Sequence, residues 1–136
     1  MHHTKDKGDL GVLKAQVDLC QQGWMVLIPL TEHAPFDLVI YKDGMFKRIQ
    51  VKYRTPSRHG TVDVSFRSYW SNRNGIQVKK QDMSSFDICC IYCPKTDECY
   101  YIDTNNILDI NISLRVEAPK KSSPNCKMAV DYRRVP

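Results

Sequence analysis

Residues 35–52 read Pro-Phe-Asp-Leu-Val-Ile-Tyr-Lys-Asp-Gly-Met-Phe-Lys-Arg-Ile-Gln-Val-Lys, and Asp43-Gly44 divides them into two runs of strand-forming residues. Asp-Gly between such runs is the strongest short-range hairpin signal, because a type I′ turn needs positive φ at both central residues. A two-residue loop puts Lys42 opposite Met45, Tyr41 opposite Phe46, Val39 opposite Arg48 and Asp37 opposite Gln50. Directly opposed residues have Cβ atoms roughly 4.5–5.5 Å apart and diagonal ones about 7–8 Å, so Lys52 falls within side-chain reach of Asp37. Side chains alternate, so Gln50 and Lys52 share one face of the strand while Ile49 and Val51 take the other. A slip of one residue would send the amide and the ammonium to the wrong surface.

The other elements follow from periodicity. Leu10, Leu13, Val17 and Cys20 recur at helical spacing, which predicts a helix over 8–22 that packs this stripe on the sheet and stops at Gly23. The apolar run Trp24–Leu30 reads as a first strand buried on both faces. Strands are expected at 36–41, 45–52, Phe86–Cys93 and Cys99–Asp103, the last two joined by the turn Pro94-Lys95-Thr96-Asp97. A short helix is expected over Asn105–Ile110 with Thr104 as its cap, and an irregular tail from Pro119, docked by Tyr132. In the segment 54–81, Val62, Val64 and Phe66 alternate with polar residues, as do Ile76 and Val78. Two strands flanking Tyr-Trp-Ser-Asn-Arg-Asn-Gly give a β-ribbon inserted in one domain spanning 1–136.

Composition points to a polyanion partner. Formal net charge is +5, but residues 45–80 hold nine Lys or Arg against Asp63 alone, so the remaining residues are net acidic. A two-stranded ribbon fits a DNA major groove, where Arg, Asn, Gln and Ser read base edges and Lys neutralises phosphate. The DNA-binding candidates are Arg54, Arg58, Arg67, Ser68, Tyr69, Ser71, Asn72, Arg73, Asn74, Gln77, Lys79 and Lys80. No signal peptide or apolar run of membrane-spanning length is visible, so a soluble, cytoplasmic protein with reduced thiols is expected, with no membrane partner. Cys90-x-x-Cys93 lies in an apolar run without a second ligand pair, which favours buried thiols over structural zinc. His2 and His3 are expected to be disordered, and His33 and His59 are isolated loop residues.

Pro-x-Asp, a strand, a turn and then x-Val-Lys resembles the PD-(D/E)XK nuclease superfamily. Within it the chain is similar to group I intron-encoded homing endonucleases and, more distantly, to archaeal-type Holliday junction resolvases. The features that carry this are Lys7-Gly8-Asp9-Leu10-Gly11 opening a helix, Gly23-Trp24, Pro35–Val39, Arg48–Tyr53, Phe86-Asp87 and Cys99–Ile102. The resemblance implies an α/β (α+β) restriction-endonuclease-like core, a mixed sheet flanked by helices, with the ribbon inserted for DNA. It implies hydrolysis of double-stranded DNA at an intron insertion site with Mg²⁺ or Mn²⁺. Asp37, Gln50 and Lys52 would be catalytic, with Asp37, the Gln50 side-chain oxygen and the Val51 carbonyl holding the metal. One such centre cuts one strand, so a homo-oligomer, dimer or tetramer, is expected.

Two positions depart from the family pattern. Gln50 stands where an acid is usual, which subtracts one negative charge and predicts weaker metal affinity. Val12 stands where the first helix tends to carry a catalytic Glu. Either Asp9, one helical turn earlier, substitutes, or position 12 silences the enzyme. A junction resolvase and a catalytically silent, sequence-specific DNA-binding module therefore stay open as alternatives.

Overall fold

The computed structural model describes residues 3–107, 111–119, 121 and 126–136. Chain order is α1 (Thr4–Gln21), β1 (Met25–Leu27), β2 (Leu38–Lys42), β3 (Met45–Tyr53), β4 (Thr61–Ser65), β5 (Arg67–Asn72), β6 (Gly75–Lys80), β7 (Ile88–Cys93), β8 (Glu98–Asp103) and β9 (Asn111–Arg115). The central five-stranded sheet runs β1-β2-β3-β7-β8. Its neighbours are antiparallel except β3 and β7, which are parallel, with Gln50 beside Cys89 and Lys52 beside Ile91. Parallel neighbours need a long crossover, and here the connection carries β4, β5 and β6.

Alternation along β3 and β7 divides the core in two. Ile49, Val51, Ile88, Cys90 and Tyr92 join Leu38 and Ile40 beneath α1. Cys89, Ile91 and Cys93 turn the other way, against Val62 and Val64 of β4 and Ile112 and Leu114 of β9. Every residue of β7 is buried, as a strand covered on both faces requires. Cys90 and Cys93 thus belong to opposite layers of the core. No helix among the described residues is long and apolar enough to cross a membrane.

Beyond the hairpin, several expectations are corrected. Among the described residues one α-helix covers one face of the sheet, and the β4–β9 pair covers the other, where a second helix was expected. The buried face of α1 is Gly11, Ala15 and Leu19, while Leu13 and Val17 are 58% and 59% exposed and Cys20 is exposed. The helix rests on β3 through this face: a Cβ at Gly11 would fall in ordinary van der Waals contact, 3.5 Å from Val51 Cγ1, and Leu19 is fully buried. β1 is a three-residue edge strand with Met25 and Leu27 exposed, so it is not buried on both faces. The strand containing Val62 and Val64 pairs with β9, and the ribbon is the narrower β5–β6 hairpin, Arg67–Lys80.

The remaining corrections are local. A 3₁₀ turn at Thr104–Asn106, capped by Asp103, replaces the first half of the expected helix, and residues 108–110 lie outside the described residues. His3 is ordered as the N-cap of α1, its Nδ1 accepting the Lys5 N–H at 3.2 Å, while His2 lies outside the described residues. Ala129–Tyr132 forms a 3₁₀ turn, with Tyr132 packed on the β4–β9 side of the core.

Register across the parallel pair is held by an ion pair. Asp87 accepts from the Arg48 backbone N–H at 2.8 Å, from Nε at 3.1 Å and from an Nη at 3.0 Å, while its own N–H donates to the Arg48 carbonyl at 2.9 Å. Those guanidinium bonds hold the Asp87 carboxyl below the usual carboxylate range.

Candidate active site

The hairpin folds as its turn dictates. Asp43 and Gly44 carry φ of 51° and 83°, and the ladder runs Lys42–Met45, Tyr41–Phe46, Val39–Arg48 and Leu38–Ile49. Beyond Leu38 the strand peels away. Asp37 still donates its N–H to the Ile49 carbonyl at 2.9 Å, but its side chain then turns into β3. Asp37 Oδ2 accepts the Val51 N–H at 2.7 Å and a Gln50 Nε2–H at 3.1 Å. The carboxylate occupies the ladder position that a backbone carbonyl of a longer β2 would fill, and two bonds fix its orientation.

Burial of this carboxyl raises the Asp37 pKa above its ordinary 3.8; the Val51 N–H and the positive charge of Lys52 oppose the rise without overcoming it. Asp37, Gln50 and Lys52 are all half-buried. The structure therefore brings together an acid, an amide and an ammonium, with the Val51 backbone as anchor. A carboxylate whose charged form is penalised by burial is one that a nearby cation would relieve. The donors present, a carboxylate and the Gln50 Oε1, are hard oxygens, and they fit an ion that takes one or two carboxylates and keeps several waters. Among the described residues no group of three or more His, Cys, Asp and Glu is positioned to hold a metal, so the centre is poor in carboxylates.

Val12 lies on α1 next to Gly11, in the turn that rests on Val51, and it packs into the helix-side core. Position 12 thus sits over the strand that carries Gln50 and Lys52, but its isopropyl group offers no ligand. Asp9 is exposed near the start of the same helix.

Cross-strand pairing sorts the ribbon residues. Trp70 opposes Gln77, Asn72 opposes Gly75 and Ser68 opposes Lys79; in the alternate positions Arg67 opposes Lys80, Tyr69 opposes Val78 and Ser71 opposes Ile76. One face is therefore polar, with Asn72, Gln77 and Lys79 around Trp70. The other joins Tyr69, Ile76 and Val78, which are 62%, 76% and 51% exposed. Arg73 and Asn74 form the tip, where the Asn72 Oδ1 accepts the Asn74 N–H at 2.8 Å and Gly75 supplies φ of 102°. Arg67 is half-buried at the base, and its Nε meets no acceptor among the described residues. Arg54 donates to the Asp63 and Tyr53 carbonyls, and Arg58 is exposed. Sequence reasoning overlooked the Val51 N–H as the group that aims Asp37. Its only signal was the alternation that leaves residue 51's backbone facing the end of β2.

No curated protein matches the chain. A solved structure titled as that of a bacterial homing endonuclease, I-Ssp6803I, superposes with a TM-score of 0.78 at 26% identity, covering 96% of this chain and 88% of that one. A family model described as PD-(D/E)XK endonuclease matches residues 2–135, and the protein therefore belongs to the PD-(D/E)XK endonuclease family.

Proposed function

We propose that this DNA endonuclease makes sequence-specific double-strand breaks at an intron insertion site, by Mg²⁺- or Mn²⁺-dependent phosphodiester hydrolysis. The observation that carries the reading is the Asp37 carboxylate held between the Val51 N–H and the Gln50 amide beside Lys52. Likeness to a homing endonuclease supports the insertion-site part.

In this reading Asp37, the Gln50 oxygen and the Val51 carbonyl hold the divalent ion. Once bound, such an ion supplies an activated water and offsets charge on the phosphate. Asp37 is aimed before the ion arrives, since its Oδ2 is already hydrogen-bonded. Lys52, on the face it shares with Gln50, orients the attacking water or places its ammonium against the scissile phosphate. The ribbon reads bases with its polar face, Asn72 and Gln77, while Lys79 meets phosphate. Cutting both strands needs a second centre, so the chain works as a homo-oligomer on a roughly palindromic site. Exposed apolar side chains on the β1 edge, Met25 at 61% and Leu27 at 39%, suit a surface that another copy covers.

Incubating the protein with a genomic DNA library and Mg²⁺ and mapping the ends tests this. One recurrent motif with paired nicks is expected; random ends or uncut DNA would reject it. The side chain at position 12 favours a second reading, a DNA-binding module without catalysis. On that reading the unsubstituted protein binds DNA without cutting it and Val12→Glu gains Mg²⁺-dependent cutting; single-turnover cutting by the unsubstituted protein would reject it.

A further inference from the structure

The ribbon and hairpin leave one strongly basic surface unused. The loop after β3 and the segment after β9 meet at the start of β4, and two adjoining hollows of about 370 and 290 Å³ open there. Arg58, Arg115, Lys121 and Lys127 line them, and the single carboxylate in the lining, Glu117, is paired with Lys95. Asp63, nearby, accepts hydroxyl bonds from Thr61 at 3.1 Å and Ser113 at 2.7 Å.

The hollow is built rather than incidental. Gly60 has φ of 77°, and a Cβ there would come within 2.9 Å of the Glu117 side chain, so only glycine lets the two segments close. The Gly60 carbonyl accepts the Val116 N–H at 2.9 Å. Arg115 is fixed by donating to the His59 carbonyl at 2.9 Å and the Glu117 carbonyl at 3.3 Å, so its planar fork is held in place at the junction. Residues 54–60 also follow Lys52 directly, and β4 leads from the hollow straight into the ribbon.

We propose that this hollow is a second DNA contact, gripping the phosphate backbone that flanks the groove entered by the ribbon. The inference rests on the nuclease reading and adds to it a surface made by Arg58, Arg115, Lys121 and Lys127. The spacing fits. From Thr61 to Ser65 the strand rises about 13 Å, at roughly 3.3 Å per residue, close to the ~12 Å width of the major groove. With the ribbon in the groove, the hollow at the start of β4 is one strand length from the ribbon's base, a reach that matches the flanking backbone. Cations there contact phosphates and carry no base information.

The test is the double variant Lys121→Gln, Lys127→Gln, whose side chains point to solvent, compared with Asn72→Ala, Gln77→Ala in the ribbon. Binding to cognate and unrelated duplexes is measured across a salt series, with ethylation interference to locate phosphate contacts. The lysine variant should bind every sequence about tenfold more weakly, with a log–log salt slope shallower by about two units, and lose interference at flanking phosphates only. The ribbon variant should instead flatten sequence preference. Arg115→Lys, which keeps the charge but removes the fork, should weaken binding less than the lysine pair. An unchanged salt slope and interference pattern in the lysine variant, with DNA still bound and cut by the unsubstituted protein, overturns the inference alone. Absence of DNA binding by the unsubstituted protein overturns the nuclease reading as well.

Discussion

Asp37→Asn and Lys52→Ala should each lower Mg²⁺-dependent cutting by about a thousandfold, within the range seen when a positioned proton-transfer or charge-stabilising group is removed. DNA affinity should change little, because base and backbone contacts are assigned to the ribbon and its surroundings. Asparagine at 37 still accepts the Val51 N–H that aspartate now takes at 2.7 Å, so the substitution removes charge while keeping the anchor. Burial raises the pKa of Asp37, which means the folded protein disfavours its ionised form. The group's contribution to stability is present below its unfolded pKa of about 3.8 and is lost as pH rises through the raised folded value. Asp37→Asn should therefore be at least as thermally stable as the parent at neutral pH without metal. Metal binding has the opposite sign, since it needs the carboxylate: cutting should fall on the acid side as protons compete for Asp37, and more metal should move that fall to lower pH. A variant that cuts normally would remove Asp37 from the centre; the readout is single-turnover cleavage.

Ile49→Ala carries the largest expected stability loss. Ile49 is fully buried, pairs with Leu38 on one side and with Ile88 on the other, and its carbonyl receives the Asp37 N–H. Truncating a buried isoleucine costs about 2–5 kcal/mol, through lost transfer energy plus the cavity left behind. Its place between two close-packed strands allows little collapse, so a value near 4 kcal/mol is expected from urea unfolding. A loss under about 1 kcal/mol would mean that the core beneath α1 repacks freely, contrary to dense packing. Because Gln50 is its neighbour, weaker Mg²⁺ affinity should accompany the lost stability.

Legibility in the sequence followed how local the determining physics was. Asp43-Gly44 sets its own register, so the meeting of Asp37 with Gln50 could be worked out from residue types and counting alone. The face of α1 could not, because hydrophobic spacing favours Leu13 and Val17, whereas the helix meets the sheet through Gly11, Ala15 and Leu19. Alternation identified Val62 and Val64 as strand residues but paired them with Ile76 and Val78 in one ribbon rather than with their true partner. That partner, Ile112 and Leu114, lies some fifty residues on in a segment not read as a strand. Long-range pairing depends on which layers remain to be covered, which no short window contains. The candidate catalytic groups were legible for the same reason as the hairpin, while the basic hollow, which joins Arg58 to Arg115, Lys121 and Lys127, was not.

The parallel junction of β3 and β7 leaves a long excursion between Arg54 and Asp87, and the β5–β6 ribbon lies wholly inside it. Doubling the length of a flexible excursion costs only about 0.6 kcal/mol of closure entropy. The Arg48–Asp87 clamp closes the far end of the excursion. Exchange is open only above the ribbon's base: β4 and Phe86 belong to the core, so a lineage, or an engineer, can replace β5–β6 beyond the Phe66–Gln81 backbone hydrogen bond and, on the proposed reading, retarget the cut while the hairpin of Asp37 and Gln50 stays untouched.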